Sequence, residues 1–325
     1  CDWTIGGSST RYACSSTGGT NITNIAVIDV GSNSTNLLVQ DANGNEVTRV
    51  ITSTRLGETL HQNRTLGDEA IARTVDTISQ YITTAQSFSA ESIHIVGTAA
   101  CRRASNTSEF IGLLHDTTGF TLEVLSEKDE ASLTFSGAIT GMPEVLGPNV
   151  VIDIGGASTE YTVGVLSADQ SASIPFGALT STASHIRTDP PKPEDLTNLI
   201  GAVSDELEEI SRDIPALLTP SRVVGVAGTI VTIAAVELGL AEFNAEELHG
   251  FVLSRDAAED VFRTMATEPL AQRISNPGLS AHRADIIVAG CCILVATMRR
   301  LHLNEITVST RGLLDGVANR ARLLA

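Results

Sequence analysis

Two stretches of the chain repeat one another. Val27-Ile28-Asp29-Val30-Gly31-Ser32-Asn33-Ser34-Thr35 returns 124 positions later as Val151-Ile152-Asp153-Ile154-Gly155-Gly156-Ala157-Ser158-Thr159. Each copy is an apolar run ending in Asp-x-Gly, then a short polar turn, then a second run of strand character. Gly31, Gly155 and Gly156 permit positive φ and leave no side chain between backbone N–H groups and an anion. Ser32, Asn33, Ser34, Ser158 and Thr159 add short donors, and Ala157 adds a methyl. Asp29 and Asp153 would repel a phosphate directly, but each can hold a hydrated Mg²⁺ or Mn²⁺ against its oxygens. Taken singly, either copy reads as a tight hairpin whose Asp caps local amides. The matched pair favours two phosphate-binding turns. A third turn, Val223-Val224-Gly225-Val226-Ala227-Gly228-Thr229, closes a strand and opens a helix. Gly228 and Thr229 would sit at an anion-ready helix N-terminus, although ordinary packing explains that pattern equally well.

These turns need elements to hold them, and the rest of the chain supplies an α/β alternation. Apolar β runs are predicted at 25–30, 35–41 and 46–54, with a hairpin turn at Asn43-Gly44-Asn45. Residues 68–87 carry Ile71, Val75, Ile78 and Ile82 at helical spacing. Further strands are expected at 93–97, 122–125, 150–154, 160–166, 171–175, 222–226, 250–253 and 305–308. Helices are expected at 108–116, 128–140, 194–212, 229–238, 255–267 and 281–301, with another at the C-terminus. Hairpins feeding βα units indicate mixed sheets. The repeat implies two similarly built domains that share a cleft. We expect 25–126 plus 311–325 to form the first domain and 127–310 the second.

Composition removes several function classes. The 325 residues carry a net charge of −17 and only two lysines, Lys128 and Lys192, so a basic DNA-, RNA- or membrane-binding surface is not expected. The longest nearly apolar run, 286–298, is too short to span a bilayer. No Gly-x-x-x-x-Gly-Lys-Ser/Thr, Cys-x-x-Cys or His-x-x-x-His spacing occurs, which excludes P-loop nucleotide binding and gives no zinc signature. Cys101, Cys291 and Cys292 lie in apolar stretches and read as reduced core thiols, pointing to the cytoplasm. Residues 1–24 are rich in Ser, Thr, Gly and Asn, without apolar periodicity. A cloning scar, an extended start and a flexible arm all fit them, and a Cys1–Cys14 disulfide stays open.

Paired Asp-x-Gly turns in two related domains resemble the actin-like ATPase superfamily. More specific motifs follow in order: Gly97-Thr98-Ala99-Ala100-Cys101-Arg102-Arg103-Ala104-Ser105-Asn106, Leu125-Ser126-Glu127-Lys128-Asp129-Glu130-Ala131, Asp153-Ile154-Gly155-Gly156-Ala157-Ser158-Thr159-Glu160 and Arg283-Ala284-Asp285. With the two turns, they resemble the exopolyphosphatase / guanosine pentaphosphate phosphohydrolase family in its short form, over about residues 25–318. The resemblance implies two ribonuclease-H-like domains with mixed sheets flanking a cleft, and a cytoplasmic homodimer. It also implies Mg²⁺-assisted attack of water on the terminal phosphate of polyphosphate, or on the γ-phosphate of guanosine pentaphosphate. Carried over by position, Glu130 activates the water and Arg102 contacts phosphate. Asp29, Asp153 and Glu160 lie around the metal. By its place alone Glu130 reads as a solvated first-turn helix acid, and only the resemblance assigns it the catalytic role.

Two positions depart from the family pattern. Ala157 stands for a third glycine, so either that position is not left-handed or the turn is altered. Asn36 stands where an Arg or His is usual, and removes a cation. Arg55, Arg283 and Arg311 are the remaining arginines expected to line the cleft. Two other readings compete with hydrolysis: a kinase of the same superfamily, and an idle binder of guanosine tetraphosphate or polyphosphate.

Overall fold

Apolar side chains on both faces place the first strand, β1 (Asn24–Val30), inside its sheet: Ala26, Val27, Ile28 and Val30 are fully buried. It pairs antiparallel with β2 (Thr35–Gln40), which pairs antiparallel with β3 (Glu46–Thr52). The turn between them uses Gly44 at φ 87, a conformation glycine adopts without steric cost. α1 (Leu60–Asn63) and α2 (Asp68–Ser87) lead to β4 (Ala90–Gly97), parallel to β1 on its other side. α3 (Ala99–Arg103) and α4 (Thr107–Thr118) precede β5 (Glu123–Val124). The order β3-β2-β1-β4-β5, with three antiparallel and two parallel members, is that of a ribonuclease-H-like sheet. The structure, a computed structural model, describes residues 24–324. The expectations for residues 1–23, including a Cys1–Cys14 disulfide, lie outside the described residues.

The second sheet repeats the first. α5 (Glu127–Ile139) crosses to β6 (Asn149–Ile154), β7 (Thr159–Gly164) and β8 (Ala168–Ile174), again an antiparallel trio. α6 (Ala178–His185) and α7 (Pro193–Asp213) precede β9 (Arg222–Val226), parallel to β6. Next come α8 (Ala227–Glu237), α9 (Ala245–Leu248), β10 (Val252–Ser254), α10 (Arg255–Thr267) and α11 (Leu270–Arg273). α12 (Ile287–Arg300), β11 (Glu305–Val308) and α13 (Leu313–Leu324) complete the described chain. The order is β10-β11-β9-β6-β7-β8, with β10 as an added antiparallel edge.

The last helix returns to the first sheet. Leu314, Val317, Ala318 and Ala321 of α13 pack with Ile25, Val27, Leu38 and Val96. α13 also lies against α5 with almost no side chain between them: a Cβ on Gly137 would fall 1.9 Å from the Gly312 carbonyl oxygen. α12 is enclosed on every side from Ile287 to Met298, in the core between the second sheet and α7.

Several elements differ from expectation, among them the short helices α1, α3, α9 and α11, which were not expected. The helix predicted over 281–301 is broken: Ala281–Arg283 is a 3₁₀ turn and α12 starts only at Ile287. Arg55 and Arg273 donate to the His282 and Ala284 carbonyls at 3.2 and 2.9 Å, holding this segment in a separate turn. Helix α6, absent from the sequence reading, follows β8 directly.

Candidate active site

The two repeats fold alike. Gly31 N–H donates to the Ser34 carbonyl at 3.0 Å, and Gly155 N–H to the Ser158 carbonyl at 3.0 Å. Asp29 and Asp153 are the penultimate residues of β1 and β6, opposite Asn36 and Glu160 respectively. None of Gly31, Gly155, Gly156 or Gly228 lies in the left-handed region, so the positive φ that glycine permits is not used here. They need space. A Cβ on Gly31 would sit 3.0 Å from the Ser34 oxygen, and one on Gly156 3.1 Å from the Asn33 nitrogen. The latter contact means that the two turns touch each other directly. Ala157 is not left-handed either, so its methyl is accommodated, and its carbonyl accepts from Arg103 at 3.0 Å. Behind the second turn, Ala178 N–H bonds the Gly155 carbonyl, and the Leu179 and Thr180 N–H groups bond that of Gly156. The N-terminus of α6 therefore braces the turn instead of facing the cleft.

A cavity of about 200 Å³ lies between the turns. Of the residues singled out as site residues, all but Thr159 and Arg102 line it. Thr159 is fully buried, with its hydroxyl donating to the Phe176 carbonyl at 2.7 Å, so it has no donor to offer a phosphate. Arg102 is held by Glu130 and by the Leu125 carbonyl, the latter at 3.1 Å. As placed, it serves the Glu130 carboxylate and not a phosphate.

Helix geometry decides which acid of α5 faces the cleft. Ser126 caps the helix, accepting from the Asp129 N–H at 3.1 Å and donating to the Asp129 carboxylate at 2.6 Å. Asp129 is thereby exposed. Glu130, about 100° further round the helix, is only 8% exposed. Arg102 takes its Oε2, Oε1 has no hydrogen-bond partner among the described residues, and the residue lines the cavity.

The electrostatics of this acid cluster are strained. Burial pushes Asp29 up to about 7, opposed by the Asn36 amide, which donates to Oδ2 at 3.0 Å. Burial and then the Glu130 charge push Glu160 up to about 7, against hydrogen bonds from Ser158 and Ser173. Asp153 is raised by burial and then by Glu160, Glu130 and Asp29. Burial raises Glu130 while Arg102 opposes. Among the described residues, no ion pair is made by Asp29, Asp153 or Glu160. Asp29 Oδ1 and both polar atoms of the Asn33 amide are buried without a protein partner. Such orphaned groups are rare in native structures unless a ligand, ion or water meets them.

The third turn adds a cation. Ala227 adopts a left-handed backbone, φ 65, a conformation that an alanine takes only at a cost of about 1 kcal/mol. Beside it the Arg283 guanidinium rests against Gly228, where a Cβ would fall 2.1 Å from Nη2. The Arg283 guanidinium makes no hydrogen bond or ion pair among the described residues, and burial lowers its pKa. Of the three arginines expected in the cleft, Arg283 and Arg311 line it. Arg55 does not, being engaged by Asp285 at the rim. Sequence reasoning missed Phe243 and Ile51, which line the cavity; for these no local signal exists. It treated Asn36 as a lost cation, although its spacing from Asp29 equals that of Glu160 from Asp153.

The donor set suits a hard divalent cation. Among the described residues no three His, Cys, Asp or Glu side chains are grouped to cage an ion. One or two carboxylates with phosphate oxygens and waters would have to complete the shell, which is how Mg²⁺ is commonly bound. The free Oδ1 of Asp29 and the uncompensated Asp153 provide that partial shell.

Comparison with known proteins agrees with this geometry. Residues 37–323 match the model of the Ppx/GppA phosphatase family. Exopolyphosphatase 2 of Mycobacterium tuberculosis is 30% identical over 312 residues, covering 92% of this chain and 95% of that protein. Guanosine-5'-triphosphate,3'-diphosphate pyrophosphatase of Vibrio cholerae is 29% identical over 83% of this chain, which spans only 53% of that longer protein. The crystal structure of the Aquifex aeolicus Ppx/GppA member superposes with a TM-score of 0.77 at 27% identity, covering 93% of this chain and 98% of that one. With two matched Asp-turns, a glutamate held between them by an arginine, and these likenesses over nearly its whole described length, the chain belongs to the Ppx/GppA phosphatase family.

Proposed function

We propose that the chain is an exopolyphosphatase, hydrolysing the terminal phosphate of linear inorganic polyphosphate by attack of water. The observation that carries this is the set of unpartnered polar groups facing one cavity: Asp29 Oδ1, the Asn33 amide and the Arg283 guanidinium, beside a glutamate with one free oxygen. Phosphoryl transfer asks for an in-line nucleophile and neutralised oxygens more than for covalent chemistry. Glu130 Oε1 orients the water and takes its proton; burial raises this carboxyl and Arg102 opposes the rise. The Asn33 amide and the Arg283 guanidinium hold non-bridging phosphate oxygens. The water oxygen bonds to the terminal phosphorus, the anhydride P–O bond breaks, and the electron pair leaves with the shortened chain. Mg²⁺ or Mn²⁺, when bound by Asp29 and Asp153 with Glu160 beside them, supplies charge neutralisation on the transferred group.

One observation favours a second substrate. Phe243 and Ile51, 58% and 45% exposed, line the same cavity. A polyphosphate chain has no face to stack on an aromatic ring, whereas the base of guanosine pentaphosphate has. Phosphate release from tripolyphosphate, long polyphosphate and guanosine pentaphosphate, side by side with Mg²⁺, tests both readings. Faster turnover of polyphosphate supports the first, and a higher kcat/KM for guanosine pentaphosphate replaces it with the second. Tight binding of any of them without release would make the protein a binder.

A further inference from the structure

We propose that Arg55 is a positioning residue for Arg283: its paired contacts with Asp285 and the His282 carbonyl fix, from the opposite sheet, the turn that carries this unpartnered guanidinium. The inference rests on the reading that Arg283 meets a substrate phosphate.

Arg55 follows β3 and is tied at both ends. Its backbone N–H donates to the Asn33 carbonyl at 2.9 Å, within the first Asp-turn, and Gly57 N–H bonds the neighbouring Ser32 carbonyl at 2.9 Å. Its φ of 50 is the left-handed conformation that an arginine adopts only when its surroundings impose it. Its side chain crosses to the second half of the molecule. Nη1 lies 2.8 Å from Asp285 Oδ2, and Nη2 donates to Oδ1 at 2.9 Å and to the His282 carbonyl at 3.2 Å. One residue therefore connects the first phosphate turn to both flanks of Arg283.

Ala284, next to Arg283, is held from within the second half. Arg273, 2% exposed, donates to the Ala284 carbonyl at 2.9 Å and is itself fixed by the Met265 and Glu268 carbonyls. Residues 282, 284 and 285 are thus anchored in succession while the Arg283 side chain is left without a protein partner. Arg55 is the anchor that depends on the two halves being together. The anion site at Gly228 is complete only when the first Asp-turn stands opposite it, so substrate meets both together or neither. An ion pair about one-third exposed adds little to stability. Its loss should therefore appear in substrate binding and not as unfolding.

Steady-state phosphate release from tripolyphosphate, with melting temperatures in parallel, tests the idea. Arg55→Ala and Asp285→Asn should each raise KM about three- to tenfold, with a smaller change in kcat, as expected for one partly exposed pair. The reversed pair, Arg55→Asp with Asp285→Arg, should recover part of the loss, and Arg55→Lys should fall between. The deciding measurement is a cycle with Arg283→Ala: Arg55→Ala should add nothing to a protein already lacking Arg283. An unchanged KM in Arg55→Ala, or full additivity with Arg283→Ala, overturns the proposal. If Arg55→Ala melts early, Asp285→Asn carries the same cycle. Should Arg283→Ala alone leave KM untouched while wild type hydrolyses tripolyphosphate, the phosphate role of Arg283 fails separately. If wild type releases no phosphate, a tripolyphosphate titration in EDTA reads the same variants by affinity.

Discussion

Replacing Asp29 by asparagine should stabilise the metal-free protein, by an amount that grows from about pH 4 and is complete near neutrality. The carboxyl is enclosed beside Glu130 and is pushed from its ordinary 3.8 to about 7. Below about pH 4 it is protonated in both folded and unfolded chains and carries no penalty. As the pH rises towards 7 the unfolded chain ionises freely while the folded one resists, so the native state loses stability on the order of 4 kcal/mol. Above 7 both are ionised and the loss is complete. The amide introduced by Asp29→Asn would keep an acceptor for the Asn36 side chain, now 3.0 Å from Oδ2, and would carry no charge. Urea unfolding in EDTA from about pH 4 to pH 8 should show variant and wild type converging at the acid end. They should separate progressively until the curve flattens above neutrality. Added Mg²⁺ should then narrow the gap by stabilising wild type alone, because a ligand that binds the native state shifts unfolding by mass action. A difference that does not vary with pH, or a variant weaker than wild type at pH 8, would refute the electrostatic reasoning.

Glu130→Gln should lower phosphate release by roughly 10²–10⁴ while tripolyphosphate binding is kept, and exposed Asp129→Asn should stay near wild type; equal loss in both would deny Glu130 its special place. Asp153→Asn should raise the Mg²⁺ concentration for half-maximal rate and weaken phosphate binding together, read by metal titration at several substrate concentrations. Gly228→Ala would set a methyl 2.1 Å from Arg283 Nη2. It should raise KM by roughly ten- to a hundredfold, since small displacements of a binding group are costly, with the melting temperature unchanged; an unaltered KM would show that Arg283 can move aside freely.

Local periodicity was the readable part of this chain. The 3.6-residue spacing of Ile71, Val75, Ile78 and Ile82 predicts a helix over 68–87, and α2 (Asp68–Ser87) has those bounds. The same rule fails at 281–286, because the apolar spacing of α12 runs on through a segment whose carbonyls two distant arginines claim. The paired turns were legible as a repeat, but the reason for their glycines was not. Contact between Gly156 and Asn33 joins residues far apart in sequence, which no window detects. Thr159 was misplaced for a simpler reason. As the first residue of β7 its side chain turns inward to the Phe176 carbonyl, while Glu160, next along the pleat, faces the cavity. Arg102 was found by motif, yet its engagement with Glu130 depends on the meeting of α3 and α5.

The close approach of α5 and α13 has a mechanical consequence. A Cβ on Gly316 would fall 2.0 Å from the Leu133 carbonyl oxygen, as one on Gly137 would meet Gly312. Two helices that meet through bare backbone have few interlocking ridges to unseat when one rolls over the other. This bearing lies where α5 leaves the first sheet for the second and α13 returns from it, so both chain crossings sit beside it. Rotation there would swing the Asp-turns apart like the jaws of a pliers, with little disturbance to either sheet. Bulk placed at this pivot would act on turnover from a distance, without touching any group that meets phosphate.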